Sequence, residues 1–342
     1  MTSLVSPDQS GFRMPAEWEA HERCWMAWPC RRSLWGAGFE RAQRAYAAVA
    51  NAIADFEPVT MLVLPEHKAR AAGLCAAAVE LLEFPLDDSW TRDTLPNFVV
   101  NSAGEVAGSL FQFNAWGGKY THFRRDATLG HRLCEHLGLR SFTSALFMEG
   151  GGISVDGEGT VLTTQSCVLN ANRNPRITKA QAEDELCEAL GASRVLWIPG
   201  DPDDEETDGH VDGSACFVRP GVIMVEQSPS KGSRRDVACR PNLDALQGVR
   251  DAAGREIELL VIEEAHEALA KGDIFCSSYI NFYVANGGVV MPGYGISRDR
   301  QAQETVQAAF PDREVVQVPI NDIACGGGAI HCITQQQPLA AV

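Results

Sequence analysis

An apolar strand-like segment, an amphipathic helical segment, a second apolar segment and a polar or glycine-rich loop recur about five times along the 342 residues, at a spacing of about sixty. Few folds are open to such a chain. Each unit can bury its sheet face only with help from its neighbours, so the units stack into a closed, pseudo-symmetric α/β array and not a doubly wound sheet. The first unit has strands at 24–29, 58–64 and 79–84, with helices over 39–56 and 66–78. In the first helix Tyr46, Val49, Ile53 and Phe56 share one face. The next three units place strand, helix and strand at 106–113, 124–138 and 142–148, then at 160–164, 179–190 and 194–198, then at 222–225, 241–252 and 257–262. The last has them at 289–291, 298–310 and 314–318. No Pro/Ser/Gly-rich linker interrupts the series, which predicts one domain over 1–342. The loop after each unit's last strand points to one end, so the loops are expected to converge on a shared site.

Charge removes several classes of function. A net charge of −16 and a pI near 4.9 argue against nucleic acid and against an anionic membrane surface as partners. No apolar run approaches the length that spans a bilayer, and residues 1–10 lack the basic and apolar regions of a signal peptide. The 11 cysteines are scattered, with no C-x-x-C pair, as expected of reduced thiols in a cytoplasm. Cys24, Cys75, Cys134 and Cys187 read as packing residues. No G-x-G-x-x-G follows a strand and there is no P-loop, so a nucleotide has no support.

Chemistry concentrates in the loops. Near the C-terminal end, Gly326, Gly327 and Gly328 form a turn that can expose backbone N–H groups, and Cys332 follows four residues after the last glycine. Other loops hold Asp93 in Trp90-Thr91-Arg92-Asp93, Glu149 before three glycines, and His210 and Asp212 in His210-Val211-Asp212. Singly, such residues cap helices and close turns. Recurrence at the same point of successive units makes them a set. A thiol, an imidazole and three carboxylates suit a guanidinium: carboxylates pair with its planar fork of N–H donors and keep it protonated, so its carbon stays electrophilic. A thiolate can attack that carbon, and an imidazole can supply and accept the protons as ammonia leaves and water enters.

At Met14-Pro15-Ala16-Glu17-Trp18-Glu19, Asp88-Ser89-Trp90, Phe113-Asn114-Ala115-Trp116-Gly117-Gly118, Glu149-Gly150-Gly151, Asn172-Arg173-Asn174-Pro175, Asp204-Glu205-Glu206-Thr207, Tyr279-Ile280-Asn281-Phe282-Tyr283 and Ile330-His331-Cys332-Ile333-Thr334, the chain resembles the agmatine deiminases of the guanidine-modifying, or pentein, superfamily. The resemblance implies a five-bladed α/β propeller with pseudo-fivefold symmetry, no metal and no cofactor. It also implies hydrolysis of agmatine to N-carbamoylputrescine and ammonia, and a homodimer or larger assembly. By matching position Cys332 is implied as nucleophile and His210 as general acid/base. Glu149 is implied as its carboxylate partner, also near the guanidinium, and Asp93 and Asp212 as the guanidinium clamp. Trp90, Trp116, Glu206, Gly327 and Gly328 would line the pocket, with Glu206 meeting the distal amine.

The chain departs from the family pattern at Cys30, Leu95, Asn97, Ser154, Gly213 and Ala329. Leu95, Gly213 and Ala329 lie within three residues of expected catalytic positions, which leaves open a deiminase acting on a different small guanidino compound. Other readings fit less well. A two-metal ureohydrolase needs a second His/Asp motif beside His210-Val211-Asp212. A calcium loop at 201–206 has Glu206 where an EF-hand needs glycine. A non-catalytic guanidinium binder has no use for Cys332 and His210 together.

Overall fold

The computed structural model describes residues 6–271 and 274–340. Their strands form five separate sheets. Three share one plan: a short strand lies antiparallel to a middle strand, which runs parallel to an outer one across a helix. These sheets contain Ser154–Val155, Thr160–Thr164 and Arg194–Ile198; Ala215–Arg219, Val222–Gln227 and Glu258–Glu263; and Tyr283–Ala285, Gly288–Gly293 and Glu314–Pro319. A fourth sheet, Asn97–Asn101, Val106–Gln112 and Arg140–Phe147, takes Phe12–Arg13 at its edge. In the fifth, Gln335–Pro338 pairs antiparallel with His21–Ala27, which continues in parallel to Val59–Val63 and Val79–Glu83. The final strand thus completes the first sheet, the closure that a ring of five units requires. The five sheets match the five units read from the sequence.

Parallel pairing needs crossovers, and the helices Phe39–Ala54, Leu129–Leu137, Lys179–Leu190, Arg234–Ala245 and Asp299–Ala309 supply them. With a helix on one side and a neighbouring unit on the other, Val59–Val63 and Thr160–Thr164 are buried at every residue. Lys179–Leu190 shows local sequence at work. Thr178 and Gln181 form a reciprocal capping box at its start, and Gly191 ends it at φ 63°. A Cβ on Gly191 would lie 2.0 Å from the Phe12 carbonyl oxygen, so backbone approach as well as φ requires glycine there.

Two helices differ from the sequence expectation. The expected 241–252 helix is Arg234–Ala245, with Pro241 inside it; Ser233 sets the start by accepting from Asp236 N–H. Its buried residues are Asp236, Cys239 and Asn242, so it has no apolar stripe for periodicity to find. The expected 66–78 helix shortens to Lys68–Ala72 after a 3₁₀ turn at Pro65–His67. The five short antiparallel strands were not read from the sequence at all. All 11 cysteines are free, and among the described residues no helix is long and apolar enough to cross a membrane.

Candidate active site

The short antiparallel strands position the chemistry. Asp93, Glu149, Asp212 and Cys332 each lie a few residues before one of them, ahead of Asn97, Ser154, Ala215 and Gln335 respectively. The fifth such strand begins at Tyr283, and Asn281 holds the equivalent place.

Cys332 sits in the 3₁₀ turn His331–Ile333, its Sγ 3.6 Å from Asp212 Oδ2 and 3.2 Å from Asn281 Nδ2. Burial, then the carboxylate of Asp212, then Cys276 and Asp93, push its thiol well above the ordinary range. The free site therefore holds a neutral thiol.

His210 Nε2 lies 3.2 Å from Glu149 Oε2, and its Nδ1 lies 3.9 Å from Asp93 Oδ1. Burial opposes its charge, but Asp93 and Glu149 prevail and hold the imidazole protonated well above its usual range. Burial likewise raises Asp93 despite the neighbouring imidazolium. Glu149 is 1% exposed, and Arg173 Nε reaches both its oxygens at 2.9 Å. Burial opposes the charge of Glu149, but His210 and Arg173 hold its carboxyl below the usual range. Glu149 pairs with His210 from behind the imidazole and lines neither cavity around Cys332. Glu149, Cys167 and His210 offer donor atoms within 4.8 Å of one another, close enough for a metal ion. The buried guanidinium of Arg173 already occupies both Glu149 oxygens, and a divalent cation beside it would meet like charge.

Two cavities meet at Cys332. One is lined by Trp90, Asp93, Trp116, Tyr120, Glu206 and Gly326 to Gly328. Trp116 Nε1 donates to Asp93 Oδ2 at 2.8 Å, and Gly151 N–H donates to Asp93 Oδ1 at 3.0 Å. Ala115 and Trp116 hold positive φ of 59° and 54°, so backbone strain in this turn aims the indole at Asp93. At the other end Tyr120 donates to Glu206 Oε2 at 2.9 Å, and burial raises the Glu206 carboxyl. The glycines make room: a Cβ on Gly328 would lie 2.5 Å from the Trp90 ring, and one on Gly327 2.9 Å from Glu206 Cγ. The second cavity is more polar and holds His210, Asp212, Ser277, Ser278 and Asn281.

The structure therefore gathers every expected site residue around one thiol, with Glu149 one step removed. It also adds four. Arg173 anchors Glu149. His331, next to the thiol, bridges Asp212 at 2.8 Å and Glu17 at 3.0 Å, and Arg92 lies 3.6 Å from Glu17. Asn281 holds the thiol. Arg173 and Asn281 sit in motifs with no candidate carboxylate or thiol, while His331 adjoins Cys332 and Arg92 adjoins Asp93. Of the departures, Leu95 packs into an apolar cluster with Phe98 and Leu129, Ala329 is fully buried, and Gly213 lines only the polar cavity. None of the three lines the cavity that ends at Glu206.

Five α/β sheets whose loops converge on a thiol, an imidazole and acids belong to the guanidine-modifying, pentein class. Within that class, the chain is a member of the Porphyromonas-type peptidyl-arginine deiminase family, whose model matches residues 13–338. It is similar to the agmatine deiminase of Ectopseudomonas mendocina (strain ymp), at 39% identity over 363 aligned residues covering 99% of each chain. Similarity to the agmatine deiminase of Pseudomonas aeruginosa (strain LESB58) is 39% over 97% of each. Among solved structures, the agmatine deiminase of Enterococcus faecalis superposes with a TM-score of 0.95 at 36% identity, covering 98% of each chain.

Proposed function

We propose that the protein is an agmatine deiminase, converting agmatine and water to N-carbamoylputrescine and ammonia. The observation that carries this reading is one cavity lined by Cys332, by Asp93 held by Trp116, and by Glu206 held by Tyr120, with no Arg or Lys among the described residues lining it. A guanidinium fits beside Asp93 and a primary amine beside Glu206. Arginine would bring a carboxylate to the Glu206 carboxyl, and Lys119, whose charge reaches Glu206, is paired with Asp208 and does not line the cavity.

In this reading the substrate cation settles against Asp93 and Asp212 and offsets the two charges that hold the thiol neutral. The thiol proton passes to solvent, and the thiolate attacks the guanidinium carbon, forming a C–S bond. His210, held protonated by Glu149 and Asp93, gives its proton to the departing nitrogen. Ammonia leaves, the C–N bond breaks and an amidino-cysteine cation remains. Neutral His210 then takes a proton from water, and the hydroxide adds to the same carbon. The C–S bond breaks, the product leaves, and the hydroxyl proton returns to sulfur as thiol. The tryptophans and the glycine turn keep water from the thiolate. The product is one hydrolysis from putrescine, which suits a cytoplasmic polyamine route. A homodimer or larger assembly is part of the same reading, and light scattering after size exclusion measures it.

The test is ammonia release from agmatine by purified protein with a chelator present. Turnover of agmatine well above that of arginine is expected. Preference for another guanidino compound would instead select that substrate, and loss of activity on chelation would require a metal. Cys332→Ala should retain agmatine binding while losing about four to six orders of magnitude in turnover.

A further inference from the structure

Asn281 is 1% exposed and reaches the thiol from the one loop to which the sequence assigned no chemistry. Its amide orientation is dictated by its partners. The Asp212 carbonyl oxygen can only accept, so the 3.2 Å contact with it belongs to Nδ2. The Cys332 backbone N–H can only donate, so the 3.3 Å contact with it belongs to Oδ1. With the amide so fixed, the second proton of Nδ2 faces Cys332 Sγ at 3.2 Å. Asn281 also accepts from His331 N–H through its own carbonyl at 3.1 Å, tying the nucleophile turn at a further point.

The acidic groups nearest the sulfur work against ionisation, and the Ala329 backbone N–H favours it. Asp212 faces it from the His210 loop, Asp93 from the Trp90 loop, and Cys276 from the stretch before Asn281. His210 lines the same polar cavity, and His331, carrying Glu17 and Arg92 behind it, touches Asp212 instead of the sulfur. As a thiol, the sulfur can donate to Asp212 Oδ2 at 3.6 Å or to Asn281 Oδ1 at 3.4 Å. As a thiolate, it turns those contacts repulsive and needs donors: the Ala329 backbone N–H is one and Asn281 Nδ2 the side-chain one.

We infer that Asn281 is a further catalytic residue, whose side-chain N–H selectively stabilises the Cys332 thiolate against the flanking carboxylates. The inference rests on Cys332 being the nucleophile. It differs from a packing role because the contact strengthens only when sulfur loses its proton.

The experiment measures alkylation of Cys332 by iodoacetamide from pH 6 to 10.5 in the full-length wild type, Asn281→Asp and Asn281→Ser, read by peptide mass spectrometry. Cys325, which is exposed, serves as the internal reference in each sample. Serine is too short to reach the sulfur and isolates the lost donor; aspartate keeps the acceptor, loses the donor and adds a carboxylate, so its effect should be at least as large. In both variants Cys332 labelling at pH 8 should slow about 10- to 100-fold relative to Cys325, the size of one lost hydrogen bond to a charged group. The labelling profile should move to higher pH, and kcat on agmatine should fall by a similar factor with KM little changed. Should either variant fail to fold, the other carries the test. Labelling of Cys332 within twofold of wild type in a folded variant would overturn the inference, even if turnover fell. Absence of agmatine turnover in the wild type would count against the proposed function alone, since labelling needs no substrate.

Discussion

Two imidazoles stand beside the nucleophile, and each lies between two acids, all buried except the partly buried Glu17. His210 is between Glu149 at 3.2 Å and Asp93 at 3.9 Å; His331 is between Asp212 at 2.8 Å and Glu17 at 3.0 Å. Burial opposes the charge of both, and both are nonetheless held protonated above the ordinary range, His210 by Asp93 and Glu149, His331 by Glu17 and Asp212. The difference is slack. Both nitrogens of His331 are committed to short charge-assisted bonds, so it acts as a fixed cation that shapes Asp212. His210 has one committed nitrogen, while Nδ1 has only a loose contact on the side where Gly151 leaves space. An imidazole can carry protons in a reaction only if one nitrogen remains available to the reacting group.

The largest effect that could break this comparison is on turnover. His210→Asn should lower kcat for agmatine about 10²- to 10⁴-fold, as loss of a general acid–base does, with little change in KM. His331→Asn should lower kcat by about tenfold or less. Equal losses in steady-state assays of the two variants would show that the slack in His210 carries no meaning.

The next effect tests the space itself. A Cβ on Gly151 would stand 2.6 Å from His210 Nδ1, 2.9 Å from Asp93 Oδ1 and 3.1 Å from Asp212 Oδ2. Gly151→Ala must therefore push the imidazole, or one of the acids, out of register. A displacement near 1 Å at a catalytic group costs about 100-fold, so kcat should fall by about that factor while the thermal midpoint moves little. Turnover close to wild type in Gly151→Ala would mean that Nδ1 does not face the reacting atoms.

How much of this could be read in advance depended on where apolar residues and charges fell. The middle strands and the stripe of Tyr46, Val49 and Ile53 were legible because burial there is paid in hydrocarbon. The inner strands were not, because some bury polar side chains. Gln335, Gln336 and Gln337 are all buried, and Gln337 accepts from Trp25 Nε1 at 2.8 Å and donates to Glu22 Oε2 at 3.0 Å. No hydrophobic period can mark such a segment. Cys332, His210, Asp93, Glu149 and Asp212 stood out as reactive groups in loops, and the resemblance assigned their roles. Asn281 lies between apolar neighbours with no titratable group, while Glu17 and His331 are 314 residues apart and meet only through tertiary structure. Arg173 was hidden because a lone arginine usually marks a surface. Here its guanidinium is wholly buried, supported by Glu149, by Asp208 and by the Thr207 carbonyl at 3.0 Å.

A smaller effect bears on stability, where His331 should matter more than in catalysis. Removing its cation leaves buried Asp212 and partly buried Glu17 without their shared partner, with Arg92 still near Glu17. His331→Asn should therefore cost about 3 kcal/mol of unfolding free energy, measured by denaturant titration. Less than about 1 kcal/mol would indicate that solvent or Arg92 already neutralises the pair.

The smallest effect is the pH dependence of that same difference. For His331 and His210 the folded state raises the imidazole above its unfolded value near 6.5, so their stabilisation is complete below that pH and is lost as pH rises through the folded value. For Glu17 burial works against the charge, but His331 and Arg92 pull its carboxyl down to about 2. Its contribution is therefore present above an unfolded value near 4.5 and is lost as pH falls toward 2. The network around His331 thus contributes most between about pH 4.5 and 6.5. The gap in thermal midpoint between wild type and His331→Asn should be widest there and should narrow as pH rises from about 6.5 toward 9. A gap that stayed constant from pH 6 to 9 would mean that His331 is not a cation in the folded protein. The contrast with His210 would then rest on hydrogen-bond geometry without charge.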